Sequence, residues 1–181
     1  MIPKLNPLDA REVLKDGSII IYPTEGIYGI GCDALNQNSV NKVVTIKGRS
    51  DDKSFIVICS EVIQLSTIID NDYMDYKELL AKDFITWIVP AHEKCPPWLT
   101  MRNNVAVRIT KHPVIDDLCK GLNGPIISTS ANYSDRSYIN DIKKIEVLFD
   151  NKVDYIVEGD LGDEVKSSTI KNIVTKEVLR K

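Results

Sequence analysis

The sequence predicts an open α/β sheet with mixed strand directions. Short β-branched runs, such as Ile19-Ile20-Ile21-Tyr22, alternate with segments of helical period. Those runs are almost continuously apolar, as expected of strands covered on both faces. They also outnumber what a plain βαβαβ repeat requires, so some strands must run antiparallel.

Pro7–Lys15 reads as a helix, with Leu8, Val13 and Leu14 toward its inner side and Gly17 as its stop. Residues 18–22 form the first buried strand. Asn38 is the expected cap of a second helix ending near Lys47. Its apolar stripe is Val40, Val43, Val44 and Ile46, and Gly48 terminates it. Residues 55–59 give another central strand. Residues 61–66 and 72–82 read as short helices with acidic faces. Residues 84–89 form a strand stopped by Pro90, and residues 91–104, with Pro96, Pro97 and Trp98, form a loop. A strand over 105–109 leads to a helix over 112–119. A short buried strand at 126–128 feeds the Ser130-Ala131-Asn132 turn, and a helix covers 141–149. Tyr155–Val157, 169–174 and Val178–Arg180 close the sheet. No repeat or composition break divides the chain, so one domain over residues 1–181 is expected.

Composition narrows the function. The 181 residues carry a net charge of −3, with 43% hydrophobic and 27% charged residues. That balance argues against a surface that is basic throughout, as a general nucleic-acid footprint would be. It allows a local basic cavity, for which Lys47, Arg49, Lys53, Arg102 and Arg108 are the candidate cations. No apolar run is long enough to span a membrane, and residues 1–7 lack the apolar core of a signal peptide. Cys32, Cys59, Cys95 and Cys119 form no C-x-x-C pair, so reduced thiols in a cytoplasmic protein are expected. There is neither a Walker A pattern nor a G-x-G-x-x-G, so any ATP site must be built differently.

Several polar residues fall at the ends of regular elements, where open α/β sheets build their sites. Lys47 and Arg49 sit at a helix C-terminus. There they either neutralise the helix dipole or hold phosphates, Arg as a planar fork and Lys as a point charge. Thr24 follows a proline at a strand end and can satisfy its own turn or face a ligand. Arg108 lies within a strand, where an outward, solvated position is the ordinary one. Ser128 and Ser130 alternate along a strand and so point the same way. His112 precedes Pro113 at a helix start, where capping suffices to explain it. Glu25 reads as a turn carboxylate.

Ordered blocks along the chain resemble the YrdC/TsaC family of threonylcarbamoyl-AMP synthases. They are Tyr22-Pro23-Thr24-Glu25-Gly26-Ile27-Tyr28-Gly29-Ile30-Gly31, Lys47-Gly48-Arg49, Val105-Ala106-Val107-Arg108 with His112-Pro113, Pro125-Ile126-Ile127-Ser128-Thr129-Ser130-Ala131-Asn132, and Ser167-Ser168-Thr169-Ile170 with Arg180. The resemblance implies a YrdC-like open twisted sheet with flanking helices and a large basic cavity. It implies an enzyme of the nucleotidyltransferase class that uses ATP, L-threonine and bicarbonate, with Mg2+ accompanying ATP. Lys47 and Arg49 are the implied catalytic cations. Together with Ser128, Ser130, Asn132, Ser168 and Arg180 they form the implied ATP site. Thr24, Tyr28, Lys53 and Arg108 form the implied threonine site, Arg108 on the carboxylate. No metal ligand from a protein side chain is expected. A threonylcarbamoyl transferase complex acting on tRNA is the implied downstream partner, with direct tRNA or RNA contact a further expectation.

The chain departs from the family pattern at Lys82-Asp83-Phe84, which replaces a P-G-P turn, and at Asp135, which replaces a glycine. Two rivals remain at this stage. One is a double-stranded-RNA-binding or ribosome-maturation module of the same fold. The other is a carbamoyl-adenylate module like that of hydrogenase maturation factors. The acidic balance and the lack of aromatic stacking motifs weigh against the first.

Overall fold

A computed structural model describes residues 1–48, 55–133 and 137–181. Its centre is a ten-stranded sheet in the order β1-β8-β2-β3-β7-β4-β6-β5-β9-β10. The strands are β1 (Lys4–Leu5), β2 (Ile20–Pro23), β3 (Tyr28–Gly31), β4 (Ile56–Cys59) and β5 (Ile85–Pro90), then β6 (Asn104–Ile109), β7 (Ile126–Ser130), β8 (Tyr155–Val157), β9 (Thr169–Asn172) and β10 (Val178–Arg180). The sheet is mixed, as expected. β4 runs parallel to β6, and β5 parallel to β9, whereas β2/β3, β3/β7, β4/β7 and β5/β6 are antiparallel.

The flanking helices are α1 (Pro7–Lys15), α2 (Gln37–Lys47), α3 (Lys77–Leu80), α4 (Pro113–Leu122) and α5 (Ile142–Phe149). α1 starts where the Asn6 side chain accepts from the Leu8 and Asp9 amides. It packs along α4, and Arg11 reaches across to donate to the Asp117 carbonyl and carboxylate. Ala10 and Leu14 of α1 and Ile115, Leu118 and Cys119 of α4 are fully buried. With the β-branched centres of β2, β4 and β7 they form one core.

Several boundaries differ from the sequence expectation. α2 is capped by Asn36, whose side chain accepts from the Ser39 amide, and Asn38 lies inside the first turn. Gly48 ends the helix in the left-handed region, as expected. The expected helix over 72–82 splits into a 3-10 turn at Asn71–Tyr73 and the short α3. Gly29 and Gly31 lie within the strand β3. A Cβ on Gly31 would lie 2.1 Å from the Ile127 carbonyl oxygen and 2.9 Å from a Tyr22 ring carbon. Gly31 is therefore required by close strand packing.

Candidate functional site

One face of the sheet carries a cavity of about 380 Å³. Its floor follows the register of the strands. Ser128, Ile56, Ala106 and Ile88 form a row across β7, β4, β6 and β5, because Ile56 pairs with both Ser128 and Ala106, and Ala106 pairs with Ile88. Gly29 and Ser130, partners across β3 and β7, extend the floor to one side. Arg108, two residues beyond Ala106, shares its face. Ser168, Ile170, Leu179 and Arg180 close the other side, and Phe84 and Met101 add apolar wall.

Thr24 lies at the mouth of the turn after β2. Its hydroxyl donates to the Ile27 carbonyl at 2.7 Å, so the residue fixes the turn and lines the cavity as well. The stretch after β8 straps this turn down. The Gly162 amide donates to Thr24 O at 3.0 Å, and the Glu164 amide to Glu25 O at 2.8 Å.

Arg108 is buried, contrary to the ordinary expectation for a strand arginine. Its Nη2 lies 3.1 Å from Glu25 Oε2, and the guanidinium sits 5.0 Å from the centre of the Phe84 ring. Thr110 donates to the other Glu25 oxygen at 2.5 Å. Burial pushes the Arg108 pKa down and the Glu25 charge opposes this, so the pair holds the cation in place. Arg108 Nε, Glu25 Oε2 and His112 Nδ1 are buried without hydrogen-bond partners among the described residues. His112 does not cap α4 with its ring. Its Nε2 meets the Asp160 carbonyl at 3.2 Å, on the strap, and its amide donates to Thr110 Oγ1 at 3.0 Å.

The exit of β7 forms a second polar cluster. Ser130 Oγ donates to Asn132 Oδ1 at 2.5 Å. The buried Lys47 ammonium, delivered by the last turn of α2, donates to Ser130 O at 2.6 Å, to Asn132 Oδ1 at 3.1 Å and to Asn132 O. On the far side, Arg180 Nη2 donates to Ser168 O at 2.8 Å.

The structure thus brings Thr24, Arg108, Ser128, Ser130, Ser168 and Arg180 onto the cavity wall. Lys47 and Asn132 sit at its edge through Ser130. Tyr28 pairs with Pro23 and is not among the lining residues. Arg49, Lys53 and Asp135 lie outside the described residues. Arg102 is exposed in a tight turn at φ 52 and is not among the lining residues, so it does not join the cations there. Arg108 and Arg180 are the charged groups on the described wall, which carries no carboxylate. Lys82 takes a φ of 54 in the turn that departs from the family pattern, and Phe84 after it still reaches the cavity. Sequence reasoning missed Glu25 as the partner of Arg108 and missed the apolar wall from β5. A threonine inside the otherwise apolar run 85–89 was the available signal.

The model for the family described as "Telomere recombination", comprising Sua5, YciO and YrdC proteins, matches residues 12–181. The chain belongs to the Sua5/YciO/YrdC family. A relative from Coxiella burnetii named threonylcarbamoyl-AMP synthase is 40% identical over 179 residues, 95% of each chain. A Pseudomonas aeruginosa relative with the same name is 35% identical over 184 residues, 99% of each chain. Among solved structures, a variant of P. abyssi Sua5 superimposes with a TM-score of 0.84 at 25% identity. That match covers 96% of this family member and 54% of the longer Sua5 chain. E. coli YciO matches with a TM-score of 0.84 over the whole chain and 95% of its own length, at 22% identity, a likeness of fold.

Proposed function

We propose that this member of the Sua5/YciO/YrdC family is a threonylcarbamoyl-AMP synthase. The reaction joins L-threonine, bicarbonate or CO2, and ATP into threonylcarbamoyl-adenylate and pyrophosphate. The observation that carries the reading is a single cavity with unlike ends, a buried arginine at one and a hydroxyl-amide-ammonium cluster at the other, in a chain whose near-full-length relatives bear that name.

The chemistry needs no protein nucleophile. The threonine amine attacks CO2, an N–C bond forms, and a proton leaves to give a carbamate. A carbamate oxygen then attacks the α-phosphorus while the bond to pyrophosphate breaks. Catalysis consists of positioning the two reactants and stabilising charge at the phosphoryl group. Arg108 takes the threonine carboxylate, with Thr24 beside it; Lys53, outside the described residues, is assigned to threonine on the family resemblance alone. Ser128, Ser130, Asn132, Ser168 and Arg180 take the nucleotide. Lys47 fixes the Ser130–Asn132 exit and, with Arg49, offsets charge as pyrophosphate departs. Among the described residues no group of three or more His, Cys, Asp or Glu side chains is placed to hold a metal. Mg2+ enters with the triphosphate of ATP in this reading. The adenylate is an activated acyl donor, and a transferase complex acting on tRNA adenosine consumes it.

Incubation with ATP, threonine and 13C-labelled bicarbonate, followed by mass spectrometry, tests the proposal. The expected product is an adenylate carrying threonine and one labelled carbon. An unlabelled threonyl-adenylate would refute it.

A further inference from the structure

Arg108 lines the cavity, whereas Glu25 and Thr110 are not among the lining residues. Arg108 belongs to β6. The backbone ladder runs one step past the end of that strand, because the Thr110 amide donates to the Cys59 carbonyl at 2.9 Å. Residues 108 and 110 therefore share one face of extended chain. Glu25 comes from the turn after β2 and touches both. Its Oε2 is 3.1 Å from Arg108 Nη2, and its Oε1 accepts from Thr110 Oγ1 at 2.5 Å.

The Thr110 hydroxyl is fully committed in this arrangement. It carries one proton, and a carboxylate can only accept, so that proton lies toward Glu25. The His112 amide donates to the same hydroxyl oxygen at 3.0 Å. Thr110 is 1% exposed, so water does not compete for either bond. The strap fixes the other end of Glu25, whose carbonyl accepts from the Glu164 amide at 2.8 Å. With its backbone and one carboxylate oxygen tied, Glu25 offers its second oxygen to Arg108 in a fixed direction. The Phe84 ring, 5.0 Å from the guanidinium, bounds it further. An arginine held in this way has less side-chain freedom left to lose when a ligand docks.

We propose that Thr110 is a positioning residue for the amino-acid substrate. It acts through Glu25, which sets the Arg108 guanidinium to receive the threonine carboxylate. The inference rests on the functional reading above for the identity of the ligand.

The test is calorimetric titration with L-threonine and, separately, with α,β-methylene-ATP, which cannot release pyrophosphate. Thr110→Val, which keeps the shape and removes the hydroxyl, should weaken threonine binding about threefold or more, as loss of one hydrogen bond implies. Its affinity for the ATP analogue should stay unchanged. Thr110→Ser, which keeps the hydroxyl, should bind threonine within about twofold of wild type by the same reasoning. Glu25→Gln should weaken threonine binding at least as much as Thr110→Val, and the double variant should lose little beyond Glu25→Gln alone. Wild-type threonine affinity in Thr110→Val, equal losses for threonine and the analogue, additive losses in the double variant, or a Thr110→Ser as weak as Thr110→Val would each overturn the assignment. Should Thr110→Val fail to fold, Glu25→Gln and Thr110→Ser decide it. A wild-type protein that binds threonine but makes no adenylate would refute the functional reading alone, with the titration still testing Thr110. A wild-type protein that does not bind threonine would refute both.

Discussion

The Arg108 guanidinium and the Glu25 carboxylate lie 3.1 Å apart, with 6% and 20% of their side chains exposed. The strand turn that presents Thr24 and the strand that presents Arg108 are joined by this charge pair. Removing one partner of such a pair leaves a desolvated charge behind. Glu25→Ala should therefore cost about 3 kcal/mol of stability, read from urea unfolding midpoints. A change below 1 kcal/mol would mean that water compensates Arg108.

Arg108→Lys should raise the Michaelis constant for threonine at least about tenfold and leave that for ATP little changed. A lysine cannot reproduce the planar fork or the stacking on Phe84. Steady-state kinetics with each substrate varied at saturation of the others checks this. A rise confined to ATP would reverse the assignment of the two halves of the cavity.

Lys47→Ala should lower turnover at least about tenfold, equivalent to about 1.4 kcal/mol of transition-state stabilisation. The variant should also lose stability, because the ammonium ties together the Ser130 and Asn132 carbonyls. Near-wild-type turnover would reduce Lys47 to a structural tether.

His112 sets a pH dependence. Burial lowers its pKa from the ordinary value of 6.5, opposed by Glu25 and the Asp160 carbonyl, with Arg108 adding to the lowering. The unfolded chain thus binds a proton at pH values where the folded chain does not. Stability is full above pH 6.5 and falls as the pH drops from there toward the depressed folded value. Unfolding midpoints measured between pH 7.5 and 5.5 should show this slope, and His112→Asn should flatten it. An unchanged slope in the variant would assign it to other groups.

Gly31→Ala should cost about 3 kcal/mol or prevent folding, since the new methyl meets the Ile127 carbonyl at 2.1 Å. Thermal unfolding of the variant checks it. The same contact explains what was and was not legible in the sequence. Glycines between a Pro-Thr-Glu turn and a helix give no local strand signal. Here Gly31 serves a neighbouring strand almost a hundred residues away, which no local pattern records. β1, at two residues, is too short for any periodicity to show. The longer apolar runs, β2, β4, β6 and β7, were readable because burial on both faces imposes a continuous apolar code. In the site, Thr24, Ser128, Ser130 and Arg180 sat at element ends and stood out. Arg108 was named as well, but its inward direction was not readable, because a polar residue within a strand shows its direction only once the register is known. Glu25 was legible as a turn carboxylate, but its partner comes from β6.

The central claim is a reaction with three substrates in one cavity, and pyrophosphate release tests it most directly. With ATP, bicarbonate and threonine all present, the protein should release pyrophosphate, and omission of any one should reduce release to background. Release without threonine, or orthophosphate in place of pyrophosphate, would contradict the account.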